Sequence, residues 1–272
     1  MRRAVTLTDA LAARAAGARA IAGGTDVFPS ISGPVTECFV DLAAIGELRG
    51  ITHHISGWRI GGAVTWSEII AADMPAAFDA LKQAARQVGS VQIQNTGTLA
   101  GNLCNASPAA DGVPPLLALD ASVELTSRNS TRCLPLGEFI TGPRQTALGP
   151  EELLTAILVP DCAATSCSAF EKLGSRAYLV ISIAMVAVVL EHDGTLIQRA
   201  RVSVGACSAV ALRLPALEAA LTGAPLQSAA RQVVPAHFAD LAPISDVRAS
   251  AQFRTDAVPA LVRRALDRCG AP

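Results

Sequence analysis

Two short stretches of this chain combine glycines with small polar side chains and could bind a phosphate-bearing ligand. The first reads AGGTDVFP and covers residues 22–29. Its Gly-Gly-Thr run exposes successive backbone N–H groups beside a hydroxyl, which suits phosphate oxygens without a formal positive charge. Asp26 would repel a phosphate, so we expect its carboxylate to cap a helix or to face a hydroxyl. The stretch lacks the lysine of a P-loop and the G-x-G-x-x-G of a dinucleotide fold, and a glycine pair taken alone favours a structural turn.

The second stretch reads TGTLAGNLCNASPAAD and covers residues 96–111. Gly97 and Gly101 would let a ligand approach the backbone closely. The side chains that could hydrogen-bond to that ligand are Thr98, Asn102, Asn105, Ser107 and Asp111. The alternative explanation of the same residues is a helix start with Asn and Ser caps. Because two such clusters occur in one half of the chain, we predict a pocket of neutral donors suited to a long phosphate-bearing ligand with sugar hydroxyls.

Other kinds of reactive site have little support in the sequence. The histidines show no metal-ligand spacing, and no Gly-x-Ser-x-Gly motif occurs. None of the seven cysteines forms a C-x-x-C pair, so we expect reduced, buried thiols that pack as small apolar side chains. We therefore predict no metal site and no catalytic side chain in this chain.

The composition predicts a folded protein without a surface for nucleic acid or membranes. Of the 272 residues, 51% are hydrophobic and 17% are charged, which indicates extensive burial and enough chain for two domains. A net charge of −1, with scattered basic residues, gives no footprint for nucleic acid or an anionic membrane. The longest apolar run, residues 177–190, is too short to span a bilayer and predicts a buried strand. Charged residues interrupt the N-terminal segment, so we expect no secretory signal and a cytoplasmic location.

The elements before residue 122 place both clusters at the ends of short secondary structures. Strands are predicted at 18–22, 38–42 and 58–64, and helices at 9–16, 66–73, 76–88 and 116–121. Thr8 is expected to cap the first helix, and Gly17 to end it. The spacing of Thr65 and Glu68 predicts a capping box at the start of the second helix. The strand at 18–22 leads directly into the first glycine cluster.

From residue 122 the pattern consists mainly of strands, with helices near the C-terminal end. Strands are predicted at 122–127, 131–136 and 153–160 and as two long runs within 180–207, and helices at 214–221 and 257–269. Asp193 and Gly194 join the two long runs and are typical of a tight hairpin. The small polar segment 161–168 is the predicted domain boundary. The predicted fold class is α+β, in two lobes.

Four motifs, in their order along the chain, resemble the FAD-binding medium subunit of molybdenum hydroxylases, such as carbon monoxide dehydrogenase and xanthine dehydrogenase. They read AGGTDVFP, QNTGTLAGNLCNASPAAD, GPEELLTAILVP and FEKLGSRAYLVISIA. The resemblance covers nearly the whole chain. It implies a p-cresol methylhydroxylase-type FAD-binding domain at 1–162, with subdomains at about 1–55 and 56–162. A smaller α+β C-terminal domain with an antiparallel sheet and helices would follow at 166–272.

The resemblance also implies which residues contact FAD. The set expected to wrap the pyrophosphate is Ala20, Ile21, Ala22, Gly23, Gly24, Thr25, Asp26 and Val27. The set expected on the other side of the cofactor is Thr98, Gly101, Asn102, Asn105 and Ser107. Asp111 would accept a hydrogen bond from a sugar hydroxyl.

The flavin ring would lie near Leu154 and Lys172, which match ring-side positions in relatives. An ammonium near the carbonyl edge of the ring would favour the reduced, anionic flavin. The residue pattern alone favours a solvated lysine at a strand end. For Tyr178, stacking on the flavin is the alternative to burial against the neighbouring strand, and burial is the favoured prediction. Ala100 stands where relatives often carry glycine, so the backbone there must tolerate a Cβ.

The implied function is electron transfer through FAD within a heteromeric complex. A large subunit would oxidise the substrate at molybdopterin, a small subunit would carry iron–sulfur clusters, and FAD would pass electrons to NAD, oxygen or a quinone-type acceptor. The expected assembly is a heterotrimer or a dimer of heterotrimers, and the flavin itself would carry the chemistry. Two alternatives stay open: a self-contained FAD-dependent oxidase or dehydrogenase, and a flavin-free assembly subunit. The sequence leaves the substrate and the electron acceptor open.

Overall fold

The computed structural model describes residues 1–34 and 36–270, and it begins with a small parallel sheet. In chain order the first elements are β1 (Arg2–Arg3), α1 (Leu7–Ala15), β2 (Arg19–Ile21), α2 (Val27–Ser30) and β3 (Phe39–Asp41). Strand β3 lies in the middle and pairs in parallel with both β1 and β2. The first glycine cluster follows the carboxyl end of β2, which is the edge of a parallel sheet where ligands usually bind.

An antiparallel sheet of five strands forms the middle of the chain. The strands of this region are β4 (Ile51–His54), β5 (Gly57–Gly61), β6 (Ser122–Thr126), β7 (Thr131–Pro135), β8 (Ile140–Gly142), β9 (Gln145–Thr146) and β10 (Leu153–Val159). Its helices are α3 (Trp66–Ala71), α4 (Asp79–Arg86), α5 (Val91–Thr96), α6 (Leu99–Asn105), α7 (Val113–Ala118) and α8 (Leu136–Phe139). The sheet order is β4-β5-β10-β6-β7, while β8 and β9 form a separate hairpin. Trp66, Phe78 and Leu99 lie fully buried in the core between sheet and helices.

The C-terminal part is a four-stranded antiparallel sheet covered by helices. Its elements are β11 (Ser166–Leu173), β12 (Ala184–His192), β13 (Ile197–Gly205), β14 (Leu212–Arg213), α9 (Pro215–Leu221) and α10 (Ala251–Gly270). The strands follow one another in the order β11-β12-β13-β14. The predicted α+β fold class, with an antiparallel C-terminal sheet, is confirmed.

Strand β12 is buried on both faces, which explains why its sequence is continuously apolar. Alternate side chains of a strand point to opposite faces of the sheet. Val186 and Val188 belong to the core beneath α10, whereas Ala187 and Val189 belong to the core that contains Trp66, Phe78 and Leu99. The strand therefore joins the two hydrophobic cores.

Local signals predicted several element ends correctly. Thr65 accepts a hydrogen bond from the Glu68 N–H while the Glu68 side chain binds the Thr65 N–H, so the capping box is confirmed. Gly17 follows α1 with a φ of +86°, a left-handed conformation that suits glycine. Gly194, with a φ of +96°, lies in the connection between β12 and β13.

Other predicted element bounds were wrong. Helix α1 is capped by Thr6 rather than Thr8, because the Thr6 hydroxyl accepts the Asp9 N–H at 3.1 Å. The predicted helix at 76–88 is a 3₁₀ turn, Ala76–Phe78, followed by α4. The last helix begins at Ala251, six positions earlier than the apolar pattern indicated.

The predicted strand at 177–190 is the largest error among the elements. The strand begins only at Ala184. Tyr178, Leu179 and Ile181 lie before it and are exposed, so the expected burial of Tyr178 is also wrong. Hydropathy alone marked these residues as core, but they lie on the surface outside the sheet.

The cysteines are less buried than expected. Only Cys207 and Cys269 are buried, Cys162 and Cys167 are partly covered, and the remaining three are exposed. Burial raises the pKa of the Cys207 thiol to about 11. In the described ranges, 1–34 and 36–270, no three His, Cys, Asp or Glu side chains are grouped to hold a metal ion. No helix in those ranges is both long and apolar enough to cross a membrane.

Candidate cofactor site

A cleft of about 820 Å³ lies between the two glycine clusters. Cavities of roughly 300–1,000 Å³ usually accept a cofactor-sized molecule. All the predicted binding residues line this cleft except Lys172. The tertiary structure therefore brings together residues from positions 20–27, 98–111 and 154 in one cavity wall.

The two glycine clusters touch each other through their backbones. A Cβ at Gly23 would overlap the carbonyl oxygen of Thr96 and would lie 2.8 Å from the Cα of Gly97. Gly24 has a φ of +67°, a conformation that most other residues avoid. Only glycine permits this turn to pack so closely against the end of α5.

Two threonine caps hold the start of helix α6 in position. The Thr98 hydroxyl accepts the Gly101 N–H at 3.0 Å, and Thr98 forms an antiparallel bridge with Thr65, which caps α3. The Leu99 N–H donates to the carbonyl of Val64 at 3.1 Å, so the bridge fixes both helix starts. The predicted alternative of a capped helix start is correct in part, although the cap is Thr98 rather than Asn or Ser.

Gly101 faces the cleft with room for a ligand. Beyond its chain neighbours and the backbone of its own helix, a Cβ here would meet the Thr98 hydroxyl oxygen at 2.8 Å, a distance that requires this hydroxyl to shift. Gly101 itself is exposed and lines the cavity. A side chain there would project into the space that a ligand needs.

Asn102 and Asp111 hold the turn that follows α6. The Asn102 side-chain oxygen accepts the Gly112 N–H at 3.2 Å. The Asp111 carboxylate accepts hydrogen bonds from the Ser182 hydroxyl, at 2.6 Å, and from the Lys172 ammonium, at 2.7 Å. Burial raises the pKa of Asp111, while Lys172 and Ser182 act in the opposite direction.

Lys172 is buried, so the expectation of a solvated lysine was wrong. Its side chain is 4% exposed, and its ammonium also donates to the carbonyl of Gln87 at 3.3 Å. Lys172 thus connects strand β11 of the C-terminal sheet to Gln87 and to Asp111. The predicted place of Lys172 near the flavin ring and the predicted sugar contact of Asp111 stay predictions, since both charges already have a protein partner.

Asp26 does not cap helix α2, so that expectation was wrong, and its contact with a hydroxyl of a ligand stays a prediction. It precedes α2, but its side chain makes no capping hydrogen bond. Its carboxylate instead accepts the Asn105 side-chain N–H at 2.9 Å. The Asn105 side-chain oxygen in turn accepts a hydrogen bond from the Arg144 guanidinium.

The cleft also contains charged and apolar residues that the sequence analysis missed. Arg14, Arg19 and Arg144 lie in its wall, so the prediction of a purely neutral pocket was wrong. Leu179, Val180 and Ile181 line another part of it. Arg144 follows Gly142-Pro143, a pair typical of turns, and this position could have indicated an exposed side chain near the cleft. Residues 179–181 could not be predicted as cleft residues, because they lie in an apolar run that indicates a buried strand.

Comparison with known proteins identifies the family to which this cleft belongs. Residues 1–162 match the family described as the FAD binding domain in molybdopterin dehydrogenase. Residues 168–269 match the CO dehydrogenase flavoprotein C-terminal domain. The chain belongs to the FAD-binding medium subunits of molybdenum hydroxylases. This family consists of oxidoreductase subunits, and the resemblance inferred from the four motifs is confirmed.

Named medium subunits show how widely the similarity extends along the chain. A putative xanthine dehydrogenase FAD-binding subunit of Escherichia coli is 31% identical over 97% of this chain and 93% of the relative. The carbon monoxide dehydrogenase medium chain of Afipia carboxidovorans is 33% identical over 93% of this chain and 89% of the relative. A solved structure of reconstituted CO dehydrogenase from Oligotropha carboxidovorans aligns with a TM-score of 0.90 at 29% identity, covering 99% of this chain and 96% of that chain.

FAD is the cofactor of this family, and the cleft of this medium subunit fits it. Gly101 carries no side chain into the cavity that it lines, and the close contact of Gly23 with Thr96 brings the two glycine clusters to one cavity. Redox chemistry resides in the flavin when it is bound. The residues that line the cleft would bind it, orient it and shape the charge around it.

Proposed function

We propose that this chain is the FAD-carrying electron-transfer subunit of a heteromeric molybdenum hydroxylase. The observation that carries the proposal is the cleft between Gly23–Gly24 and residues 97–101, where the two glycine clusters meet. FAD would be held by residues 20–27 on one side and by residues 98–111 on the other. We further propose the division into an FAD-binding domain at 1–162 and a C-terminal domain at 166–272.

The partners in this proposal are a large molybdopterin subunit and a small iron–sulfur subunit. Support comes from two relatives that are named medium chains of carbon monoxide dehydrogenases. The substrate would be oxidised on the large subunit, and electrons would reach FAD through the small one. FAD would then reduce NAD, oxygen or a quinone-type acceptor, in a heterotrimer or a dimer of heterotrimers.

The residues of this chain would act on FAD by position and charge. The two threonine caps would keep the start of α6 rigid beneath the cofactor, which limits the entropy lost on binding. The buried pair of Lys172 and Asp111 would set the distance between the C-terminal sheet and the cleft. Leu154 contributes an apolar wall, which suits the ring of a flavin more than its phosphates.

Purification of the chain from its native host tests this function. We expect one FAD per chain and co-purification of a molybdenum-containing large subunit and an iron–sulfur subunit. The substrate of that complex should reduce the bound flavin only when all three subunits are present. A chain that binds no flavin would contradict the proposal. Turnover of an organic donor by the isolated chain would instead support a self-contained oxidase or dehydrogenase.

A further inference from the structure

Arg14 and Arg144 are the two cleft arginines whose hydrogen-bond partners are neutral and that form no ion pair within the described residues, and Arg144 is the exposed one of the two. Arg19 forms an ion pair with Glu37 at 3.2 Å. Arg14 donates to the backbone carbonyls of Glu152 and Ala18. The guanidinium of Arg144 donates to the amide oxygen of Asn105, and no carboxylate in residues 1–34 and 36–270 lies within ion-pair distance of it. Its positive charge is therefore available to an anion in the cleft.

Arg144 has a left-handed backbone conformation, which is energetically unfavourable for a residue with a side chain. Arg144 lies in the turn between β8 and β9 with a φ of +60°, where glycine or asparagine is usual. Its N–H donates to the carbonyl of Ala106 at 2.8 Å, and Ala106, which ends α6, has a φ of +45°. Strain of this kind persists where the surrounding structure fixes it, and it is concentrated at ligand clamps.

Asn105 separates the Arg144 cation from the Asp26 anion. Its oxygen accepts from Arg144, so its amide nitrogen must face Asp26, to which it donates at 2.9 Å. Asp26 lies directly after the Gly-Gly-Thr turn, where its carboxylate would repel a phosphate. A positive charge on the other side of Asn105 offsets that repulsion.

We infer that Arg144 is a further FAD-binding residue, which pairs with the anionic diphosphate of the cofactor. Backbone N–H groups of the glycine turn supply hydrogen bonds without net charge. A guanidinium adds both charge and a planar pair of donors that matches phosphate oxygens. The inference rests on the proposed function, because it names a residue for the same cofactor.

Titration of FAD into the flavin-free full chain tests this role. The variants are Arg144→Gln, which keeps a long side chain and the same backbone strain, and Arg144→Lys, which keeps the charge. Arg128→Gln is the matched control, since Arg128 is an exposed arginine that does not line the cleft. Flavin fluorescence gives the dissociation constant at about 0.01 M and at about 1 M salt, between which the screening length falls from roughly 30 to 3 Å.

We expect Arg144→Gln to weaken FAD binding about tenfold at low salt, which equals the loss of one charge-assisted contact. At high salt its dissociation constant should approach that of the unmodified chain, because screening removes the same attraction. Arg144→Lys should bind FAD more tightly than Arg144→Gln, and Arg128→Gln should change binding less than twofold. Unchanged binding by Arg144→Gln at low salt would overturn the inference. An equal loss at both salt concentrations would also overturn it, because it would indicate a structural role through Asn105.

These outcomes are separable from failure of the proposed function. If the unmodified chain takes up no FAD, the proposed function itself fails. If it binds FAD and Arg144→Gln binds it equally well, only the role of Arg144 is rejected.

Discussion

The ammonium of Lys172 lies 2.7 Å from a carboxylate oxygen of Asp111, and both side chains are buried. This ion pair joins strand β11 to the turn after α6, two segments that are 61 positions apart in the chain. The second carboxylate oxygen of Asp111 accepts from Ser182, which follows the cleft-lining residues 179–181. One carboxylate thus fixes three parts of the structure around the candidate FAD cleft.

Replacing Lys172 by alanine should strongly destabilise the protein. It would leave the Asp111 carboxylate buried without its cation, which typically costs about 3–5 kcal/mol. If Lys172 lies beside the flavin ring as predicted, its loss should also lower the reduction potential of bound FAD. Urea unfolding and equilibrium titration of the flavin measure the two effects.

Lys82→Ala is the matched control for that experiment, because the chain has only these two lysines and Lys82 is not buried. The double variant Asp111→Asn with Lys172→Met should recover much of the lost stability, since it removes both buried charges. A Lys172→Ala protein as stable as the Lys82→Ala protein would show that the ion pair contributes nothing. An unchanged reduction potential of the bound flavin would show that Lys172 does not tune it.

Replacing Gly101 by leucine should abolish FAD binding while leaving most of the fold intact. The new Cβ would displace the Thr98 hydroxyl slightly, and the rest of the side chain would enter the cleft that Gly101 lines. Gly46→Leu is the matched control, since no atom lies within 4 Å of a Cβ at Gly46 and this residue does not line the cleft. The flavin content of each purified variant and its thermal unfolding provide the measurement. Stoichiometric FAD in the Gly101→Leu protein would show that the cofactor binds elsewhere.

The free energy of unfolding should decrease at acidic pH as the carboxylate of Asp246 becomes protonated. Backbone N–H groups of Arg248 and Ala249 and the side chains of Arg248 and Arg254 lower its pKa from 3.8 to about 2. A carboxyl group with a lowered pKa in the folded state stabilises the protein above its unfolded pKa, and this contribution is lost as the pH falls toward 2. Unfolding of the native chain and of Asp246→Asn should therefore differ at pH 6 and converge between about pH 4 and pH 2. If the difference in the free energy of unfolding between the two proteins stays constant over this pH range, Asp246 does not have a lowered pKa.

Removing the Asp246 carboxylate should also destabilise the start of the C-terminal helix α10. Arg254 of α10 is 3% exposed, and besides Asp246 it donates to the carbonyls of Ile183 and Ala206. Without the carboxylate its buried charge loses its anionic partner. Hydrogen exchange should therefore be faster at the start of α10 in Asp246→Asn than in the native chain.

Thr6→Ala should destabilise the chain more than Thr8→Ala. The Thr6 hydroxyl accepts the Asp9 N–H, whereas Thr8 lies inside α1 and is exposed. Loss of a threonine N-cap typically costs about 1 kcal/mol. Urea unfolding of the two variants compares them directly, and a larger effect of Thr8→Ala would contradict the cap seen in the structure.

Interactions between residues close in the chain could be predicted from the sequence because their physics is local. The capping box needs only Thr65 and Glu68 three positions apart, and the turn at Asp193-Gly194 needs only a glycine that accepts a positive φ. The sequence also predicted that the two glycine clusters would line one pocket, since close approach of a backbone requires small residues. The order of the four motifs identified the family.

Local patterns failed where the environment of a residue depends on distant segments. Thr6 and Thr8 are both acceptable caps by type, and only the backbone of α1 selects the first. The apolar residues 177–183 resemble the strand that follows them, but no sheet or helix covers Tyr178. The hydropathy of a residue reflects the free energy of exposing its side chain to water. It does not show whether another part of the protein covers that side chain.

The sequence by itself therefore determined the fold class, the family and the segments that form the cleft, because each depends on residue types at short spacings. Only the tertiary structure decided how those segments meet. It placed Gly23 against Thr96, paired Lys172 with Asp111, and aligned Asp26, Asn105 and Arg144 along the cavity wall. The physical reason is that the burial and the charge partners of a side chain are properties of its neighbours in space, and β-sheet packing brings those neighbours from remote positions.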